Sequence, residues 1–335
     1  LHFTLDFIGF MCIIREYYCK KLGDIMFKVF IDGREGTTGL RIVERLSGRE
    51  GIELMLIPEE LRKDPEERRK YLNSCDVAFL CLPDAAAVEA VSMIENPDVR
   101  VIDTSTAHRT DSDWVYGFPE LFDSIAEKLP TAKRVAVPGC HASGFVAIIA
   151  PLVEAGIISK DALVSCFSLT GYSGGGKKMI AEYENDKTDE LYSARIYALG
   201  QQHKHLKEMA AVTGLENKPI FSPIVDDFYS GMLVTVPFFG SQVKGGIEAV
   251  KDTYLKKYSG KTFVDVSDIN AENQGAMLGS NNLSGNDKMQ IFVTGNEERF
   301  TVSARFDNLG KGSSGAAVEC MNIMLGFNET EGLDV

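Results

Sequence analysis

An α/β chain, doubly wound in its first half and of mixed α+β character in its second, is the fold class this sequence predicts, on three observations. Short apolar runs alternate with helical patterns from residue 28 to about residue 140, which is the grammar of a parallel sheet with helices on its faces. A glycine-rich loop, Gly33-Arg-Glu-Gly36-Thr-Thr-Gly39, joins the first such run to the first helical one. Past residue 140 the runs lengthen and fill with β-branched and aromatic residues, as in mixed or antiparallel sheet.

Residues 28–31 read as a short buried strand. Residues 38–46 follow as an amphipathic helix, with Leu40, Val43 and Leu46 recurring on one face. A second strand is expected at 52–57, a charged helix at 64–71, a third strand at 77–82, a helix at 85–94 and a strand at 99–102. Residues 134–137 are another strand, running into Pro138-Gly139-Cys140. The apolar segment 145–157 reads as a buried helix that Pro151 interrupts, since proline has no N–H for the helical ladder. Residues 163–170, 231–239 and 290–304 are β-rich, and 309–325 return to helix through a Gly-Ser-Ser-Gly turn. No repeat or low-complexity linker divides the chain, so the change of grammar near Cys140 marks the domain boundary.

Among 335 residues, 35 basic and 48 acidic side chains give a formal net charge of −13. Such a surface repels nucleic acid and anionic lipid, and neither is expected as a partner. Residues 7–14 are apolar but too short to span a bilayer, and they lack the basic lead and small-residue cleavage site of a secretory signal. The nucleotide-binding pattern opens at Met26, so residues 1–25 are expected to be an upstream extension. Seven cysteines occur with no CxxC pair and no metal-ligand spacing; an odd count makes a poor disulfide framework and suggests reduced thiols in a cytoplasmic enzyme.

The glycine loop sits where a phosphate cradle must, between a strand and a helix N-terminus. Gly33, Gly36 and Gly39 allow close backbone approach, and the helix start offers free N–H groups. Past the second strand, Glu59 and Glu60 would suit an unmodified ribose, whereas Arg62 and Lys63 would suit a 2′-phosphate; spacing does not decide between them. Cys140 follows a strand and precedes a helix-like start, a position where the helix dipole favours the thiolate, while Cys81, Cys166 and Cys320 lie inside apolar runs and read as inert. A thiolate nucleophile needs a proton shuttle. His203 and His205 flank Lys204, and Glu208 is three residues beyond His205, where a helix would let it orient the imidazole. His-x-His has no third ligand nearby, so no metal is expected. Arg109, with Ser105 and Thr106, follows a strand end and suits an oxyanion or phosphate. The loop Tyr172-Ser173-Gly174-Gly-Gly-Lys177-Lys178 is a second candidate phosphate site, without Walker spacing.

Taken in order, these segments resemble the type 2 N-acetyl-γ-glutamyl-phosphate reductases of arginine biosynthesis, over about residues 26–326. The resemblance rests on the opening from Met26 to Gly39, Cys81-Leu82-Pro83-Asp-Ala-Ala-Ala87, Asp103-Thr-Ser-Thr-Ala-His-Arg109, Tyr116-Gly-Phe-Pro-Glu120, Val137-Pro-Gly-Cys140, Gln202-His-Lys-His205 with Glu208, and Asp307-Asn308-Leu-Gly-Lys311-Gly-Ser-Ser-Gly315. The loop after Cys140 departs from the longer type 1 form, where Tyr-Pro commonly follows. The resemblance implies a Rossmann domain (26–140 with 305–335) and a catalytic and oligomerisation domain (141–304) of the glyceraldehyde-3-phosphate and aspartate-semialdehyde dehydrogenase type. It also implies NADP and a homodimer or homotetramer. Its implied chemistry is reduction of an acyl phosphate through a thioester on Cys140, with His205, or alternatively His203, as acid and base. Gly33, Arg34, Gly36, Thr37, Thr38, Gly39, Leu82, Pro83, Ser105, Thr106, Asn308 and Lys311 are expected at the cofactor. Arg109, Ser173, Gly174 and Lys177 are expected at the phosphate side of the substrate, with Arg195 as a carboxylate partner. The rivals are the same chemistry on aspartyl phosphate or N-acetyl-aminoadipyl phosphate, and an NADP-binding regulator without catalysis.

Overall fold

A computed structural model describes residues 26–271 and 277–335, so the expected upstream extension lies outside the described residues. Strands β1 (Phe27–Asp32), β2 (Ile52–Met55), β3 (Val77–Leu80), β4 (Arg100–Asp103), β5 (Val115–Tyr116) and β6 (Arg134–Ala136) form one sheet in the order β2-β1-β3-β4-β6-β5. Every pairing in it is parallel. All four residues of β3 are buried, as a strand covered by helices on both faces requires. Those helices include α1 (Thr37–Leu46), α2 (Pro65–Ser74), α3 (Asp84–Ser92) and α4 (Asp123–Lys128). The start of α2 is fixed locally: Asp64 accepts from the N–H groups of Glu66 and Glu67, and Pro65 occupies the first helical position. The buried face of α1 differs from the expected one. Gly39, Ile42 and Leu46 face the sheet while Leu40 is exposed, because Gly39 must lie flat against the Gly33–Arg34 backbone.

The connection into the second layer is α5 (Cys140–Glu154), buried continuously from His141 to Leu152. Pro151 does not interrupt it. Proline there leaves the carbonyl of Ala147 without its helical donor, and the Tyr258 hydroxyl donates to that oxygen at 2.7 Å. Tyr254 does the same for Ile148, also at 2.7 Å. Both tyrosines come from α8 (Gly246–Tyr258), which packs along α5.

The second sheet holds β7 (Ser165–Gly171), β8 (Arg195–Ile196), β9 (Ile220–Asp226), β10 (Met232–Phe239), β11 (Val264–Val266), β12 (Met289–Gly295) and β13 (Arg299–Phe306). Its order is β11-β12-β13-β10-β7-β9-β8, and parallel and antiparallel pairings are mixed. The run read from sequence at 290–304 is a hairpin, reversed after Gly295, whose φ of +134° suits glycine. Residues alternate in burial along β10, with the inner face on α5. Two further helices, α6 (Gly176–Glu184) and α7 (His205–Thr213), lie at the sheet's loop end. The last helix, α9 (Gly315–Leu325), packs Ala316, Ala317, Met321 and Met324 onto Val29, Ile31, Phe79 and Val135 of the first sheet.

Candidate active site

A cleft of about 300 Å³ opens where the parallel sheet's carboxyl ends meet the second sheet, the crevice in which such folds bind ligands. Thr37 and Thr38 reach it from the glycine turn, Arg109 from the loop after β4, Cys140 from the start of α5, Ser173 and Gly174 from the loop after β7, His203, Lys204 and His205 from the start of α7, and Asn308 from the turn after β13.

Cys140 is the first residue of α5, and Gly139 precedes it as the N-cap in extended conformation. Glycine is required there: a Cβ would overlap His205 Nε2 and Arg109 Nη1. The Gly139 N–H donates to Glu208 Oε1 at 2.9 Å, and Arg109 Nη1 donates to Glu208 Oε2 at 3.0 Å. Tyr116 adds a hydroxyl to Oε1 at 2.8 Å. Arg109 is held further by the carbonyls of Val137 and Thr104, each at 2.8 Å. The cation beside Cys140 is therefore fixed by backbone and carboxylate together.

Burial pushes the Cys140 thiol above its ordinary value. Arg109, the His141 N–H and Lys204 pull it down, and Glu208 pushes it up. This corrects the expectation of a thiolate favoured by the helix dipole: in the free protein the thiol keeps its proton. A base must take that proton. His205 is held well below the ordinary imidazole value, first by burial and then by Arg109, His141, His203 and Lys204, so its ring is neutral and has a lone pair to offer. Glu208 does not hold His205 as the helical spacing suggested; its oxygens are taken by Arg109, Tyr116 and Gly139, and His205 Nδ1 is buried without a partner.

The residues expected from sequence separate into distinct groups. Gly33, Arg34 and Leu82 line an adjoining cavity of about 250 Å³, together with Arg62, Lys63 and Arg68. Gly33 has φ +88°, and a Cβ would strike the Cys81 carbonyl; Gly39 sits against the Gly33 carbonyl, and Gly36 donates to the same oxygen at 3.1 Å. Pro83 precedes α3 as its N-cap. Ser105 is buried and donates its hydroxyl to Asp103 at 2.7 Å, while Thr106 bonds Asp84. Lys177, Arg195 and Lys311 also lie outside the cleft lining. Lys177 lies 3.5 Å from Glu35 with its side chain largely exposed, and Arg195 donates to the Tyr183 hydroxyl at 3.1 Å. Lys311 is buried between Glu120 at 2.6 Å and Glu319 at 2.5 Å, which keeps its ammonium from any ligand. Among the thiols, burial pushes Cys81 up to about 12 and raises Cys166 and Cys320 as well.

Sequence reading missed Lys204 as a cleft cation, and it missed His141 and Tyr197. His141 packs its ring 5.6 Å from that of His205 and 5.7 Å from that of His203. The adjacency of His141 to Cys140 was visible; its partners Ser168 and Tyr197 were not. Among the described residues, no cluster of His, Cys, Asp or Glu is placed to hold a metal ion, and no helix is long and apolar enough to cross a membrane.

Known proteins place this geometry in context. The family described as semialdehyde dehydrogenase, dimerisation domain, matches residues 140–308, and semialdehyde dehydrogenase, NAD binding domain, matches 55–128. N-acetyl-gamma-glutamyl-phosphate reductase 2 of Nostoc sp. is 43% identical over 91% of this chain and 99% of its own length. The N-acetyl-gamma-glutamyl-phosphate reductase of Sinorhizobium medicae is 44% identical over 89% of this chain and 98% of its own. Among solved structures, aspartate semialdehyde dehydrogenase II of Vibrio cholerae superposes with a TM-score of 0.65 at 16% identity, covering 90% of this chain and 98% of the other. Aspartate semialdehyde dehydrogenase of Candida albicans, solved with NADP, gives 0.60 at 16% identity over 89% and 98%. At such identities these two structures bear on the fold alone.

Proposed function

The chain belongs to the N-acetyl-γ-glutamyl-phosphate reductase family, and from that premise we propose that it reduces N-acetyl-γ-glutamyl phosphate to N-acetylglutamate 5-semialdehyde with release of phosphate, in arginine biosynthesis. It is an oxidoreductase that uses a nicotinamide dinucleotide. The observation that carries the reading is Cys140 at a helix start, sharing its cleft with neutral His205 and fixed Arg109.

His205 takes the Cys140 proton as the sulfur attacks the acyl carbon; the C–S bond forms, and the C–O bond to phosphate breaks. Arg109 and Lys204 meet the charge of the departing phosphate, which takes up a proton from solvent as it leaves. Splitting the reduction this way leaves an uncharged thioester in place of an anionic acyl phosphate. A nicotinamide dinucleotide held by the glycine turn would supply hydride for reduction of this thioester. His205 then gives its proton to the oxygen that becomes negative, takes it back as the C–S bond breaks, and returns it to sulfur. His203 is the less suited base, because its Nδ1 accepts the backbone N–H of His205 at 3.2 Å.

The glycine turn fits a dinucleotide phosphate. It leaves no room for side chains at Gly33 and Gly39, and α1 has no side-chain N-cap to occupy its free N–H groups. Thr37, Thr38 and Asn308 border the cleft from this side. NADP over NAD is supported by Arg34, Arg62 and Lys63 in the adjoining cavity: Arg34 and Arg62 pair with the exposed carboxylates of Glu35 and Glu59, weak surface pairs that a 2′-phosphate could replace, whereas Arg68 is buried against Asp32 at 2.9 Å. Arg195 is assigned to the substrate carboxylate; its Nε is buried without a partner. The second sheet is assigned to self-association as a homodimer or homotetramer, and exposed Leu163, Ile220 and Phe239 beside a hollow of about 610 Å³ support this. A cytoplasmic location follows from the biosynthetic role.

The test is the reverse reaction. N-acetylglutamate 5-semialdehyde, phosphate and NADP should give NADPH absorbance, with NAD much poorer. No turnover with this aldehyde, but turnover with aspartate semialdehyde, would reassign the substrate.

A further inference from the structure

Behind the cleft run two short hydrogen-bond chains, each ending on a hydroxyl that lines it. In the first, Ser168 Oγ lies 2.6 Å from His141 Nδ1, and His141 Nε2 lies 2.6 Å from the Tyr197 hydroxyl. In the second, the Gly231 N–H donates to Asn308 Oδ1 at 2.9 Å, and Asn308 Nδ2 donates to Ser173 Oγ at 2.9 Å. Tyr197 and Ser173 both border the cleft, whereas Ser168 does not.

Hydrogen-bond inventory fixes the direction of both chains. Ser168 is fully buried in β7, and among the described residues His141 Nδ1 is the partner its hydroxyl has. Were Nδ1 protonated, the Ser168 hydrogen would be buried with no acceptor, so Ser168 donates and Nδ1 accepts. Burial, followed by the nearby His203, lowers His141 to about 3, so the ring carries a single N–H. That N–H is on Nε2, and it donates to the Tyr197 oxygen. The second chain is fixed by the backbone: Gly231 can only donate, which sets the Asn308 amide and makes its nitrogen the donor to Ser173.

We propose that Ser168 and His141 are positioning residues that hold Tyr197 as a hydrogen-bond donor into the cleft, in parallel with Asn308 and Ser173, so that both hydroxyls offer hydrogens to oxygen atoms of an anionic substrate. The proposal rests on the acyl-phosphate reading for the identity of that substrate, but not for the direction of the chains. With Arg109 and Lys204 nearby, a cleft built this way suits acceptor-only groups such as carboxylate or phosphate oxygens. An amide or alcohol donor placed against Tyr197 would meet a second donor. This is a form of specificity by repulsion.

Two measurements test it. Nitrogen-15 NMR of histidine-labelled enzyme should show His141 as the Nε2–H tautomer near neutral pH, in unmodified protein and without substrate; the Nδ1–H tautomer would overturn the proposal whatever the enzyme reduces. In the reductase assay, Tyr197→Phe should lower kcat/KM by roughly 10–100-fold, the range for a lost hydrogen bond to a charged group. Ser168→Ala should lower it by about tenfold in the otherwise native enzyme and by less than about twofold in the Tyr197→Phe background, because its effect passes through that hydroxyl. His141→Gln, which keeps an N–H toward Tyr197, should retain more activity than His141→Leu. Additive losses in the Ser168/Tyr197 pair would refute the relay even if the substrate assignment holds. Absence of any reductase activity alongside an Nε2–H His141 would refute the substrate assignment and leave the relay standing.

Discussion

Arg109 and Glu208, ninety-nine positions apart, form a buried ion pair at 3.0 Å whose carboxylate also holds the N–H of Gly139, the residue before the nucleophile. The pair joins the loop after β4 to α7 and sets the start of α5 between them. Glu208→Gln keeps the shape but offers an amide N–H where Arg109 or Gly139 needs an acceptor. It should cost about 3–5 kcal/mol of stability, as expected for a buried pair broken on one side. Thermal or urea unfolding of the variant measures this. A loss below about 1 kcal/mol would mean the pair is solvated in solution.

Cys140→Ser should lower turnover by several orders of magnitude, because an alkoxide is far harder to form at neutral pH than a thiolate. Since burial holds the Cys140 thiol above its ordinary value, iodoacetamide labelling of the free enzyme should rise most steeply above about pH 8.5, the ordinary thiol pKa. Arg109→Leu removes the largest force acting against burial and should move that profile to still higher pH. A labelling midpoint near pH 6 would contradict the protonated resting thiol.

His205→Asn should reduce kcat by roughly 10²–10⁴-fold, the usual loss for a general acid–base. If His203→Asn alone shows that loss, the two roles are exchanged.

Acid should destabilise the fold through its buried rings. His141, lowered to about 3, and His205, lowered well below its ordinary value, stay neutral when folded, whereas the unfolded chain protonates both near pH 6.5. The unfolded state thus binds more protons, and stability present above pH 6.5 is lost as pH falls toward the folded values. The slope should approach about 1.4 kcal/mol per pH unit for each ring. Denaturant titrations between pH 7 and 4 read it directly, and a flat profile would show that the rings are already charged in the fold.

Tyr258→Phe should cost about 1–3 kcal/mol by leaving the Ala147 carbonyl buried without a donor. Combined with Pro151→Ala, which restores a helical N–H to that oxygen, the loss should shrink. Equal losses in both backgrounds would rule out this account of how α5 tolerates proline.

What could be read from sequence was local. The Gly33–Gly39 turn was legible because its constraint, a left-handed glycine between strand and helix, is contained in seven residues. Cys140 was legible because a strand, a Pro-Gly turn and a helix start are adjacent in the chain. Most of the failures were long-range. Helical spacing points Glu208 at His205, but Arg109 and Tyr116, distant in sequence, compete for its oxygens and win by charge and hydrogen bonding. Pro151 reads as a break in the sequence because its remedy is in α8. Lys311 stands in a glycine-rich motif that suggests a ligand, yet Glu120 and Glu319 close around it only in three dimensions. Periodicity placed the buried face of α1 one residue off, because the glycine contact outranks the leucine pattern.

The packing of α9 against the first sheet has a consequence for synthesis on the ribosome. Residues that complete the first-made layer are translated after those of the second, so the parallel sheet must wait with an uncovered apolar face while the whole second layer emerges. A chain released before residue 315 would keep that face bare, and it should depend on chaperones or aggregate rather than persist as a half-size enzyme.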